Sequence, residues 1–171
     1  MIKFLLGLIL GIGLVVGGAF LYFTRGGLQM STDGPPLPLE RYIAHHALAS
    51  SIGKASDEKS PVAADEATFL TGAQVYKENG CIGCHGRFGQ GPSAMSRRMY
   101  PHIPPLLPPS KGVTDDPVGG THWVVKNGIR FSGMPSFSPK LSDTEIWQVS
   151  ELLRNADHLP PSVQEVLRGK Q

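Results

Sequence analysis

Cysteine is scarce in this chain. Its 171 residues contain two, Cys81 and Cys84, so a disulfide framework is excluded and a structural zinc site would need its remaining ligands from histidine. The histidines outside the cysteine motif are His45, His46, His102, His122 and His158, and none of them pair at the spacing a zinc finger uses. No block of lysine or arginine occurs, and the formal charge is only +2. A nucleic-acid-binding arm is therefore not expected, and the charge concerns docking. No strand-helix-strand pattern surrounds the cysteines, which removes the setting of a thioredoxin-like dithiol. Glycine and proline are abundant instead, 21 and 15 residues respectively. Much of the chain is thus expected as loop, wrapped around something other than its own side chains. A hydrophobic content of 40% is that of a globular protein with one core.

The two cysteines stand in Cys81-Ile82-Gly83-Cys84-His85, a C-x-x-C-H sequence, which is the attachment pattern of a c-type haem. Two sulfurs three positions apart on a helical turn can each add to one vinyl group of the same porphyrin. The next residue, His85, is then aimed at the iron as proximal ligand. The competing readings are a redox-active pair, a zinc half-site and a simple disulfide. Each lacks the further ligands or context it would require. With both cysteines in thioethers, the compartment has to be read from the N-terminus.

Phe4 to Phe23 run twenty positions without a charge, enough at ~1.5 Å per residue to cross a ~30 Å hydrocarbon layer as a helix. A signal peptide would have a shorter apolar region ending in small residues such as Gly17-Gly18-Ala19. Here the run continues past them, through the interfacial aromatics Phe20, Tyr22 and Phe23 to Arg25. An uncleaved membrane anchor is expected. Gly7 and Gly11, and again Gly13 and Gly17, stand four apart, the spacing that lets two membrane helices approach; lipid-facing filler is the plainer alternative. The Gly, Ser, Asp and Pro of residues 26–38 form a tether. Leu39 to Ile52 reads as a short amphipathic helix with Leu39, Tyr42, Ile43, His46 and Ala47 at helical spacing, whose apolar face is expected to rest on the folded domain by default, with the membrane surface and a partner as the alternatives. Residues 53–64 are polar linker, and the folded domain begins near Asp65.

Asp65 is placed to cap a helix carrying Phe69, Ala73 and Tyr76, which ends near Asn79-Gly80 just before the motif. With Gly72 and Tyr76 four apart and shortly before Cys81, the chain resembles the class I c-type cytochromes, and in layout their membrane-anchored bacterial members. The resemblance covers about Asp65 to Leu159. It implies an all-α domain around one covalent haem c, with the glycine allowing a close crossing by the C-terminal helix and the aromatic packing there. Relatives commonly carry an aromatic at the position of Leu152, a departure for which Trp147 is a candidate compensator. FSGMPSF, with Met134 between Gly133 and Pro135 and 49 residues beyond His85, resembles the family's distal-methionine loop. The resemblance thereby implies His85 and Met134 as the iron ligands, Cys81 and Cys84 as the attachment points. Met95, Met99 and His102 lie in the proline-rich stretch 86–116, where loop packing is expected of each. Trp123, in a short helix closed by Asn127-Gly128, either reaches a haem propionate as in some relatives or fills the core. Ser142, Asp143 and Glu145 begin a last helix, with Ile146, Val149 and Leu153 on one face. Pro160-Pro161 ends it.

The expected organisation is an anchor over residues 1–25, a tether over 26–64, a cytochrome c domain over 65–160 and a polar tail over 161–171. The resemblance implies a one-electron carrier, not an enzyme, held by one transmembrane helix on the bacterial inner membrane. Haem c is attached outside the cytoplasm in this family, so the N-terminus stays inside and the domain faces the periplasm. Redox proteins are the expected partners. The alternatives are a haem-based gas sensor or small peroxidase with an open sixth position, and a fixed electron-entry subunit of a larger complex.

Overall fold

In the computed structural model, residues 1–27, 30–32 and 34–169 are described, and they form helices and loops without a strand. The chain divides into two compact units, Met1–Arg41 and Tyr42–Gln171.

The first unit is built on α1, Ile2–Thr24, a single apolar helix of 23 residues with no buried residue. Its exposed large side chains include Leu, Ile, Val and Phe, and it is long and apolar enough to cross a membrane. Its end is closed by the Arg25 N–H donating to Leu21 O at 2.9 Å and by the Thr24 hydroxyl donating to Phe20 O at 2.8 Å. A Cβ added at Gly7, Gly11, Gly13 or Gly17 would meet nothing within 4 Å.

α2, Glu40–Ile52, contains no buried residue. Tyr42 and Ile43 remain 63% and 61% exposed, so the apolar face expected to rest on the domain does not. Only the end of the helix is engaged, where Ile52 approaches Gly120. The stretch expected as polar linker instead forms a 3-10 turn, Gly53–Asp57. Its Ala55 and Glu58 carbonyls press on Gly119 so closely that a side chain there would collide with them.

The rest of the second unit is organised around one crossing. α3, Glu66–Glu78, starts where the Asp65 carboxylate accepts the Thr68 N–H at 2.9 Å. α6, Asp143–Arg154, starts with a reciprocal cap in which Ser142 and Glu145 serve each other's backbone N–H. At Gly72 a Cβ would run into the Gln148 carbonyl and stand 3.0 Å from the Leu152 Cβ. Absence of a side chain therefore sets the approach of the two helices. Leu152, fully buried, occupies the crossing. Trp147 does not compensate there: it turns to α5, Val118–Asn127, and stacks on His122 with ring centroids 3.8 Å apart at 11°.

The polar tail expected after residue 160 is α7, Pro161–Arg168. Pro161 occupies the first helical position, where its missing N–H costs nothing. Val163 and Leu167, four apart, are fully buried in the core shared with α3.

Candidate functional site

α3 ends at Asn79, and Gly80 at φ +82° turns the chain directly into α4, Cys81–His85. That left-handed conformation is one glycine accepts without penalty. Ile82 sits in the core and fixes α4 against α3. Behind the motif, the buried Tyr76 hydroxyl donates to Gly86 O at 2.9 Å. Burial pushes the Tyr76 phenol well up, so it stays a donor.

The proline-rich stretch after the motif folds back over it. The Ser93 hydroxyl donates to Cys84 O at 2.7 Å, Leu106 N–H to His85 O at 3.3 Å, and Gly89 N–H to Pro108 O at 2.7 Å. Leu106 and Leu107 complete this wall from inside the core. α7 closes the far side: the Arg87 guanidinium donates to Gly169 O and the Arg168 guanidinium lies 4.8 Å from the centre of the Phe88 ring.

His85 has a defined tautomer. Its Nδ1 is 2.8 Å from Pro104 O, and a carbonyl can only accept, so Nδ1 carries the hydrogen and Nε2 is left with its lone pair. Burial lowers the imidazole's pKa, with the Pro104 bond acting in the opposite direction. Cys81 is likewise desolvated, its thiol pushed up to about 11. Neither cysteine is in a disulfide.

After α5 the chain turns at Gly128, φ +70°, into a short loop clasped at its base. Ile129 N–H donates to Met134 O at 3.1 Å, and Met134 N–H to the Ser132 hydroxyl at 3.1 Å. Met134, Cys81 and His85 thereby line one cavity, whose other walls are Val75, Tyr76, Leu106, Val125, Phe137, Leu141, Val149 and Leu153. These side chains fit a haem. The walls are apolar, two thiols stand on one helical turn, and a neutral imidazole and a thioether reach the same space from separate elements. Cys84 shares the turn of α4 without lining the cavity.

The other residues considered as iron ligands do not line this cavity. Met95 is 51% exposed, and His102 is exposed and bonds through Nδ1 to Ser96 O. The Met99 methyl packs on Gly133, where a side chain would displace it. Trp123 is half-buried. A larger open cleft between Asp115, Glu151, Arg154 and His158 is polar and holds no part of the motif. Among the described residues no group of three His, Cys, Asp or Glu side chains could hold a metal ion.

Two arrangements were not anticipated. His122 is buried, with Nε2 at 3.1 Å from Asp143 Oδ1, an oxygen that also receives Lys126 Nζ at 2.7 Å. The second is Phe131, almost fully exposed at a positive φ. Neither has a sequence signature, because both depend on tertiary placement or backbone torsion.

Residues 67–153 match the family described as cytochrome c oxidase, cbb3-type, subunit III. No curated protein and no solved structure matches the chain.

Proposed function

The chain belongs to the cbb3-type subunit III family of c-type cytochromes, and from that premise we propose a one-electron carrier whose haem iron is held between His85 and Met134. Family membership carries with it a covalently bound haem c, for which Cys81 and Cys84 fit the attachment site, and an electron-carrying role in general. The N-terminal apolar helix fits single-pass membrane anchoring.

When bound, the haem supplies a one-electron ferric/ferrous couple. The chain's residues determine how that couple behaves. Cys81 and Cys84 would hold the porphyrin edge on α4. His85 would present Nε2, oriented by its Nδ1–H to the Pro104 carbonyl. Met134 would supply a neutral thioether, which favours the ferrous form and raises the potential. The apolar walls would keep water from the bound group, and with both His85 and Met134 engaged no place would remain for a substrate, so on this reading the protein carries electrons and is not an enzyme. On this reading residues 1–25 anchor, 26–64 tether and the haem domain extends from residue 65 through α7. The anchor would lie in a bacterial inner membrane with the domain in the periplasm. Its glycine face is open for contact with a second membrane helix.

The single observation carrying this proposal is the shared cavity of Cys81, His85 and Met134. Met134→Ala tests it. The variant should keep covalent haem, lower the potential, and bind carbon monoxide when reduced, whereas the parent should not. A parent that binds carbon monoxide at once would instead be a gas sensor or peroxidase. A second reading is favoured by the family description, which names an oxidase subunit: the same chemistry performed as a fixed part of a complex. Copurification from gently solubilised membranes distinguishes it.

A further inference from the structure

Phe131 combines two unfavourable features at one position. Its ring is 95% exposed, forfeiting the burial that normally rewards a large apolar side chain. Its backbone is at φ +60°, a conformation shared among the described non-glycine residues only with Leu39, and one that opposes any side chain with a Cβ. Among the described residues, no ring pair or core contact offsets either feature. The ring does not line the cavity formed by Cys81, His85 and Met134.

The segment bearing it is not slack. Residues 129–134 form a closed loop, with Ile129 N–H on Met134 O, and both the Ser132 N–H and hydroxyl on Ile129 O at 3.2 and 2.7 Å. Beneath it, Gly128 is packed against Met134, Pro135 and Ser136 so tightly that a Cβ would stand 2.7–2.8 Å from their backbone. Phe131 is therefore presented at the tip of a braced loop whose base carries Met134. Strain held by a surrounding structure that overdetermines it is a reason to look for function.

The charges that flank it in the sequence have one sign. Arg130, the preceding residue, is exposed, and between Asp116 and Asp143 the sequence has Lys126, Arg130 and Lys140 with no acidic residue. Lys126 is engaged with Asp143. Between Glu78 and Asp115 there is again no acidic residue; Arg87 is engaged with Gly169 and Lys111 with Asp115, while Arg97 and Arg98 are exposed and the packing of Met99 on Gly133 brings their segment to the same loop. We infer that Phe131 is the apolar anchor of a docking surface for a redox protein presenting an apolar depression ringed by carboxylates. The cations would speed and orient encounter, and the preorganised ring would fill the depression, placing the partner over the Met134 loop. This inference rests on the carrier reading above.

The test uses the full-length protein in membranes of its own host, with haem oxidation followed by stopped-flow absorbance. The oxidant is ferricyanide in one series and the membranes' own redox chain in the other. Phe131→Ala and Phe131→Gly should each slow exchange with the host chain about tenfold, equivalent to about 1.4 kcal/mol, and Phe131→Leu should slow it less. Ferricyanide rates, haem absorption and midpoint potential should not change. Phe131→Gly should also melt above the parent, because it relieves the backbone while still losing the ring. Rising salt should slow the parent's exchange with the host chain. Equal host-chain rates in all variants would overturn the inference. So would a shifted haem spectrum or potential in Phe131→Ala, which would make the ring a haem cover. A detergent-solubilised dimer that Phe131→Ala dissociates would assign the surface to a second copy and overturn the inference. A parent that exchanges with ferricyanide but binds carbon monoxide at once when reduced would remove the carrier reading, and the docking surface with it.

Discussion

The crossing of α3 with α6 and the loops that wall the cavity solve the same problem by different means. At the crossing, side chains do the holding. Tyr76, Ile146, Val149 and Leu152 are at most 2% exposed, both helices are capped by their own side chains, and Gly72 admits its partner by having no side chain. In the loops at residues 86–117 and 128–142, single hydrogen bonds hold the chain, and Leu106, Met134, Phe137 and Leu141 line a shared cavity. Substitutions in the first region should therefore be felt as stability, and substitutions in the second as electronic change with the fold retained.

The largest expected effect is at the crossing itself. Gly72→Val would place a branched side chain against the Gln148 carbonyl and Leu152. Backbone on both sides must move, a loss of about 3 kcal/mol. A melting temperature within two degrees of the parent would show that the helices can separate without penalty, and the contrast between regions would collapse. Leu167→Ala comes next. Its side chain is fully buried on α7, so the loss should be about 2–3 kcal/mol. If chemical denaturation shows less than about 0.5 kcal/mol, α7 belongs with the loops and not with the core.

Tyr76→Phe joins the two regions. The change removes a buried donor and leaves Gly86 O without it directly behind the haem motif. The expected loss is about 1–2 kcal/mol, with the ring still packed. Covalent haem content, measured on a denaturing gel, should be retained.

These regions also differ in how far they could be read beforehand. Caps and periodicity are local, so Asp65, Ser142 and Asn127-Gly128 marked α3, α6 and the end of α5 within a residue or so. The spacing Cys81, Cys84, His85 is local as well. The close approach at Gly72 was legible through the family resemblance, since on its own residues the position is only a helix-weakening glycine that needs a reason. What fills the crossing was not: Leu152 is there, and Trp147 prefers the His122 ring. α7 was missed because Pro160-Pro161 reads equally as a stop and as a start, and Val163 and Leu167 make only one helical repeat. The pressure of residues 53–58 on Gly119, the clasp beneath Phe131, and the exposure of α2 all depend on distant packing, which leaves no periodic trace.

The smallest predicted effect concerns the corner where α5 meets α6, on the helical side of the comparison but polar in character. His122 is buried against Trp147, and burial holds its pKa below the ordinary value. Asp143 pulls the other way, and Lys126 adds to the lowering. A carboxylate only accepts, so the neutral ring must donate from Nε2 to Asp143, leaving Nδ1 without a hydrogen. The unfolded chain takes up this proton near pH 6.5, whereas the folded chain resists it. Below that pH the unfolded state therefore binds more protons, and stability falls as pH drops from 6.5 toward the depressed folded value. The carboxylates whose folded pKa values are lowered, Asp65, Asp143 and Glu145, begin at or below 4.5 in their ordinary state, so their contribution is lost at lower pH and the two windows are separable. His122→Phe should keep an aromatic ring on Trp147, leave the exposed Asp143 to Lys126, and remove the titration. Between pH 7.5 and 5 the parent's melting temperature should then fall by more than the variant's. Parallel curves would mean that His122 titrates alike in the folded and unfolded chain, and that the corner behaves as a solvated surface despite its burial.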